Sequence, residues 1–237
     1  MAIKIQQVGL QNLLASPSRM IGDSENVLTY LFRSVLLSRG ITMFLWNKRL
    51  RAYFNRETDR DPNNDRGNLN KQLTSPKLSW AGFKKAIDFL RPRTAHLTFI
   101  VFWKDDTVTQ YTIVIDPREK EDDLIEQEAS VEENPIINKP DRNPPSVLAR
   151  LFRTIIVKRG ITEAQWENLL QLYVEQTAGS KGRQRNSIDR DLRNPRITFT
   201  VFRQGMIFLQ AQRIEYQLEL MWKPGDISIH TAKPEGC

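Results

Sequence analysis

The chain has 237 residues, 40% hydrophobic and 27% charged, an ordinary globular composition with length for one large domain or two small ones. Its apolar runs fall far short of the roughly 20 residues a membrane helix needs, its opening residues show no signal-peptide pattern, and its single cysteine, Cys237, excludes an intrachain disulfide. The formal charge of +7 is uneven: residues 116–133 (DPREKEDDLIEQEASVEE) hold nine acids against Arg118 and Lys120, leaving 33 bases against 19 acids elsewhere, a balance that favours polyanions or acidic protein surfaces.

Residues 1–25 have no counterpart in the rest of the chain and read as an N-terminal arm. From there the sequence reads as a tandem duplication, with copies at 26–116 and 146–232, an acidic linker at 117–145 and a tail at 233–237. Residues 31–42 (LFRSVLLSRGIT) match 151–162 (LFRTIIVKRGIT) at an offset of 120, which also pairs Trp46 with Trp166, Leu50 with Leu170 and Tyr53 with Tyr173. One residue is then lost, and at an offset of 119 Arg66 pairs with Arg185, Lys71 with Arg190, Leu73 with Leu192, and Trp103 with Trp222.

The periodicity predicts a first helix over 26–39 and 146–159, ended by Gly40 and Gly160 in the left-handed conformation, with Arg39 and Arg159 in the last turn facing the negative end of the helix dipole. Thr42 and Thr162 are N-caps for a second helix, whose Trp46, Leu50 and Tyr53 (Trp166, Leu170 and Tyr173 in the second copy) share one face. Loops are expected at 55–77 and 178–196. After Ser79 and Thr198, aromatic and aliphatic residues at helical spacing predict a third helix over 79–90 and 198–209. Hairpins follow, 94–103 with 107–115 and 213–222 with 227–232. A lone hairpin is barely stable, so the two are expected to join in one antiparallel sheet, giving an α+β fold built from two helix-helix-loop-helix-hairpin units.

Helix, glycine turn, helix invites a DNA-reading interpretation, but Leu36 stands where that motif wants a small residue, and the second helix of the second copy (EAQWENLLQLYVEQ) is acidic. The loop at 178–196 carries Lys181, Arg183, Arg185, Arg190, Arg193 and Arg196, a set suited to phosphate oxygens or an acidic partner surface. Arg66 and Arg185, kept in both copies, read as structural arginines that cap a helix or bridge to a hairpin. His96 and His230 have no Cys or His at ligand spacing, and there is no Cys/His pair, serine nucleophile motif, HExxH or Gly-rich dinucleotide turn. The chain therefore reads as non-enzymatic, without metal or cofactor.

The stretch RGNLNKQL at 66–73, followed by LSWAGFKKAI at 78–87, resembles small proteins encoded by large tailed bacteriophages, which carry an "RGNL…L" segment before a "TW…F" helix. The resemblance covers about one copy, and the second departs from it at Asn186-Ser187-Ile188 and at Phe199. It implies a viral origin and virion or host-cytoplasm localisation. The expected function is a structural or assembly protein of a tailed-phage virion, oligomeric in its assembly, that docks two pseudo-equivalent units onto other virion proteins. The alternative is a sequence-nonspecific nucleic-acid-binding protein using basic loops, including Lys84, Lys85, Arg91 and Arg93. The linker, being acidic, is expected to lie on the basic surfaces it joins and to compete for them with polyanions.

Overall fold

The computed structural model describes residues 26–58, 66–115, 145–177, 185–223 and 225–233. The predicted arm, the linker as far as residue 144 and the tail beyond Lys233 lie outside the described residues, and the expectations about them stand as stated. In chain order the elements are α1 (Val27–Ser38), α2 (Met43–Thr58), α3 (Arg66–Leu73), α4 (Trp80–Leu90), β1 (Thr94–Trp103) and β2 (Val108–Val114). The same order recurs as α5 (Val147–Lys158), α6 (Glu163–Thr177), α7 (Arg185–Arg193), α8 (Phe199–Phe208), β3 (Ala211–Met221) and β4 (Ile227–Ala232). The fold is α+β, with one four-stranded antiparallel sheet in the order β2-β1-β3-β4.

Short polar side chains set the helix starts. Asn26, Ser79, Ser146 and Thr198 each accept a hydrogen bond from the backbone N–H three residues on, which satisfies one of the donors a helix leaves unpaired at its start. Thr42 and Thr162 accept from Leu45 and Gln165 in the same way, both at 3.3 Å. Gly40 and Gly160 take φ of 56° and 62°, a conformation that costs glycine little, and this turns the chain from α1 to α2 and from α5 to α6.

The segments expected to be loops contain α3 and α7 instead. Each is two turns long with only two apolar side chains, Leu69 and Leu73 in one, Ile188 and Leu192 in the other. Spaced by four, these pairs land on one face and are buried.

The hairpins join through their inner strands, as expected: the backbone N–H of Arg93, just before β1, donates to the Met221 carbonyl at 2.6 Å. β3 and β4 pair in register from Tyr216 opposite Ala232 to Met221 opposite Ile227.

The chain packs as two compact units, and these do not follow the sequence copies. The first unit combines α1–α4 with residues 94–100, 112–115 and 214–233, so that β4 of the second copy lies on α1 of the first. The second combines α5–α8 with residues 101–111 and 211–213, so that the tip of the first copy's hairpin belongs with the second copy's helices. Each unit therefore takes residues from both of the expected segments, 26–116 and 146–232.

In the first unit the core gathers Phe32, Trp46, Phe83 and Phe89, with the Trp46 and Phe89 rings 4.7 Å apart. In the second, Phe152, Trp166, Phe202 and Phe208 do the same, with Trp166 and Phe208 also at 4.7 Å. Among the described residues no single helix is long and apolar enough to cross a membrane, and α1 is buried at eight positions.

Candidate functional site

Arg39 and Arg159 follow the last residues of α1 and α5, and their guanidinium groups engage hairpin residues. In the first unit the Arg39 guanidinium lies 4.5 Å from the Trp222 ring and donates to Asp226 Oδ2 at 2.8 Å. Trp222 is itself fixed, its indole N–H donating to Ser228 Oγ at 2.9 Å. In the second unit the Arg159 guanidinium lies 4.5 Å from Trp103 and donates to Asp105 Oδ2 at 2.6 Å and to Thr107 Oγ1 at 3.1 Å, while Trp103 donates to Thr109. The Thr107 hydroxyl and then the Arg159 guanidinium hold the Asp105 carboxyl down to about 2. That pKa is depressed, so the Asp105 contact is complete above the ordinary 3.8 and is lost as pH falls through about 2.

Around the Arg39 clasp the first unit concentrates cations. Arg49 on α2 donates to the Leu90 carbonyl at the end of α4, at 2.7 Å. Burial first, then the neighbouring charges of Arg39 and Arg91, lower its pKa. Arg91 follows α4 with φ of 59°, a left-handed backbone that a non-glycine residue adopts at a cost of roughly 1–2 kcal/mol. Lys48, Arg91 and Lys223 are exposed. Phe44, one helical turn before Lys48 on the same face of α2, is 74% exposed.

The matching place in the second unit is an open recess of about 320 Å³, with Lys104 and Asp105 on one wall and Gln165, Asn168, Leu169 and Gln210 among the rest. Gln210 has the same left-handed backbone as Arg91, with φ of 65°. Leu169 stands where the first unit has Arg49, and Asn168 where it has Lys48.

Of the cations expected to bind a polyanion from the 178–196 segment, Arg185 and Arg193 are occupied at home. Arg193 donates to Asp189 at 2.7 Å and Glu163 at 2.8 Å and lies 5.1 Å from the Trp166 ring. Burial opposes its charge, but the bonds to Asp189 and Glu163 outweigh that and raise its pKa. Arg185 pairs with Glu167 on α6. Arg190 lies 3.8 Å from Asp191 and is largely exposed, and Arg196 is exposed. Lys181 and Arg183 lie outside the described residues. Of the residues shared by both copies, Trp46 and Trp166 are fully buried, their indole N–H groups donating to Asn70 Oδ1 at 2.9 Å and Asp189 Oδ1 at 2.8 Å. Arg66 opens α3.

The residues missed in the sequence reading are Phe44, Lys48 and Arg49, and their signal was the mismatch between the copies rather than the match. Among the described residues no three His, Cys, Asp or Glu side chains gather as a metal site would require. No protein-family model, no curated protein and no solved structure matches the chain.

Proposed function

We propose that the protein is a non-enzymatic structural or assembly protein of a tailed-phage virion, in which two similar strand edges dock onto partner subunits. The observation that supports this reading is the character of the outer strands of the sheet, β2 (VTQYTIV) and β4 (ISIHTA). An open edge is a template for pairing with another chain, and proteins that must stay apart guard it with lysine, proline or a bulge. Neither strand contains Lys, Arg, Asp, Glu or Pro, and each points β-branched residues outward: Val108 and Val114 on β2, Ile227 and Ile229 on β4, each more than half exposed. Partner strands added to such edges gain main-chain hydrogen bonds, and two attachment points on one chain raise the effective concentration at the second once the first is engaged. The tailed-phage assignment rests on the sequence resemblance at 66–87.

The test is mass spectrometry of purified particles. The protein is expected at a fixed copy number, and Val114→Lys or Ile229→Lys, which guard one edge while leaving the core intact, should abolish incorporation. Absence of the parent protein from particles ends the reading; normal incorporation of both guarded variants ends the strand-edge mode of docking.

A further inference from the structure

From the basic corner of the first unit we infer a binding site for single-stranded nucleic acid, with backbone phosphates held by Arg39, Arg49, Arg91, Lys48 and Lys223 and a base stacked on Phe44. This inference is independent of the strand-edge reading, since it uses different residues and a different kind of partner.

The second copy builds the same elements without three of these charges, those of Lys48, Arg49 and Arg91. Arg49 does have a structural contact, the Leu90 carbonyl at 2.7 Å. Yet the second unit builds the corresponding corner with Leu169 beside Leu209, and uses Asn168 and Gln210 where the first has Lys48 and Arg91. The first corner therefore carries Lys48, Arg49 and Arg91 beyond the Arg39 and Lys223 that the second matches with Arg159 and Lys104, and the second sets Asp105 beside its two cations.

The Arg49 guanidinium, held on the Leu90 carbonyl at 2.7 Å, sits at the peptide that leads into Arg91, and the charges of Arg39 and Arg91 disfavour its own. Among the described residues the carboxylate paired with this group is Asp226, on Arg39. Three guanidinium groups held near one another are relieved by an anion with several oxygens, and planar guanidinium forks suit phosphate better than ammonium groups do.

Phe44 selects the class of polyanion. A basic groove with an exposed aromatic ring beside it is the arrangement that binds single strands, because every unpaired base offers a face to stack on, whereas a duplex offers none. Phe44 is 74% exposed one turn from Lys48, and the second copy has Ala164 in its place. An acidic protein segment would use the cations and leave Phe44 without a role.

The experiment is fluorescence anisotropy of the full-length protein with an oligothymidylate of about 20 nucleotides at low salt, set against a duplex of the same length and polyglutamate as competitors. The parent should bind the single strand in preference to the duplex, and polyglutamate should compete poorly. The triple variant Lys48→Asn/Arg49→Leu/Arg91→Gln installs the residues the second copy carries at those positions. It should lose at least about tenfold in affinity and, with three phosphate contacts gone, flatten the log–log salt dependence by roughly 2. Phe44→Ala should weaken single-strand binding by about fivefold or more while leaving the salt slope unchanged. Arg91→Gly, which relaxes the left-handed backbone while removing the charge, separates loss of binding from loss of folding: it should bind more weakly and melt no lower. Equal binding by parent and triple variant, or no binding by the parent at low salt, overturns the site. Duplex or polyglutamate binding as tight as the single strand, or an inert Phe44→Ala, overturns the assignment to single strands.

Discussion

The two units solve one packing problem with different chemistry around the central tryptophan. In the first, Trp46 donates to Asn70, a neutral side chain only 4% exposed, and the Thr74 hydroxyl ties back to the Asn70 carbonyl. In the second, Trp166 donates to Asp189, which Arg193 also engages, and Arg193 reaches on to Glu163. The first unit thus meets its central indole with a neutral amide, while the second meets it with a carboxylate that also holds an arginine. Counts of arginine in two similar sequences, nine in 26–116 and ten in 146–232, therefore say little about which surface is electropositive; the carboxylates within reach decide it.

The largest expected effect that could break this comparison is at the tryptophans. Trp46→Phe removes the donor to a buried amide that has few other partners, and should cost about 2–4 kcal/mol from lost volume and the stranded Asn70 oxygen. Trp166→Phe should cost measurably less, since Asp189 keeps Arg193. Urea melts of the two variants giving equal losses, or the reverse order, would remove the contrast between neutral and charged frameworks.

The next effect is steric. Gly205 on α8 sits against Phe152, and a Cβ there would lie 2.6 and 2.8 Å from two ring atoms, whereas the first copy already has Ala86 at the matching position. Gly205→Ala should therefore destabilise by about 1–3 kcal/mol through overpacking, visible as a lower melting temperature. A neutral result would mean that the second unit has the same helix spacing tolerance as the first.

The smallest effect is confined to the first unit. The His230 ring is buried against α1, its Nδ1 is 3.0 Å from Ser34 Oγ, and among the described residues its Nε2 has no hydrogen-bond partner. Because Ser34 Oγ donates to the Leu31 carbonyl at 2.8 Å, it accepts from Nδ1–H, and burial lowers the His230 pKa below 6.5. A depressed histidine pKa means the unfolded chain binds the proton first, so this contribution is complete above 6.5 and declines as pH falls below it, by at most about 1.4 kcal/mol per pH unit. His230→Tyr, which installs the residue the first copy has at 111, should flatten the denaturation midpoint between pH 7 and 5.5. An unchanged slope would show that His230 does not titrate on unfolding.

The elements legible in the sequence were those with a local physical cause. Gly40, Thr42, Ser79 and Thr198 mark boundaries through backbone conformation and capping, and the structure keeps those boundaries to within a residue or two. The helices α3 and α7 escaped because eight or nine mostly polar residues with one apolar pair look like a loop until the same spacing, Leu69 to Leu73 and Ile188 to Leu192, is compared across both copies. The packing of β4 on α1 could not be read locally, since nothing in the sequence near β4 says whose α-helix it will cover. The basic corner was hidden for another reason: a search for agreement between the copies passes over Arg49 and Leu169, where they disagree.

The packing of β4 on α1 also dictates when the first unit can be finished. Ser34 meets His230 across 196 residues of chain, and Arg39 meets Asp226 across 187. Contacts so distant in sequence close late and slow the folding of a domain, because the loop entropy must be lost before the contact is gained. On the ribosome, α1 to α4 emerge early and wait with the β4-facing side of α1, around Ser34, uncovered until nearly the whole chain is made. During that interval the nascent chain is open to self-association, and a polypeptide interrupted before residue 227 carries a first unit that no intramolecular step can complete.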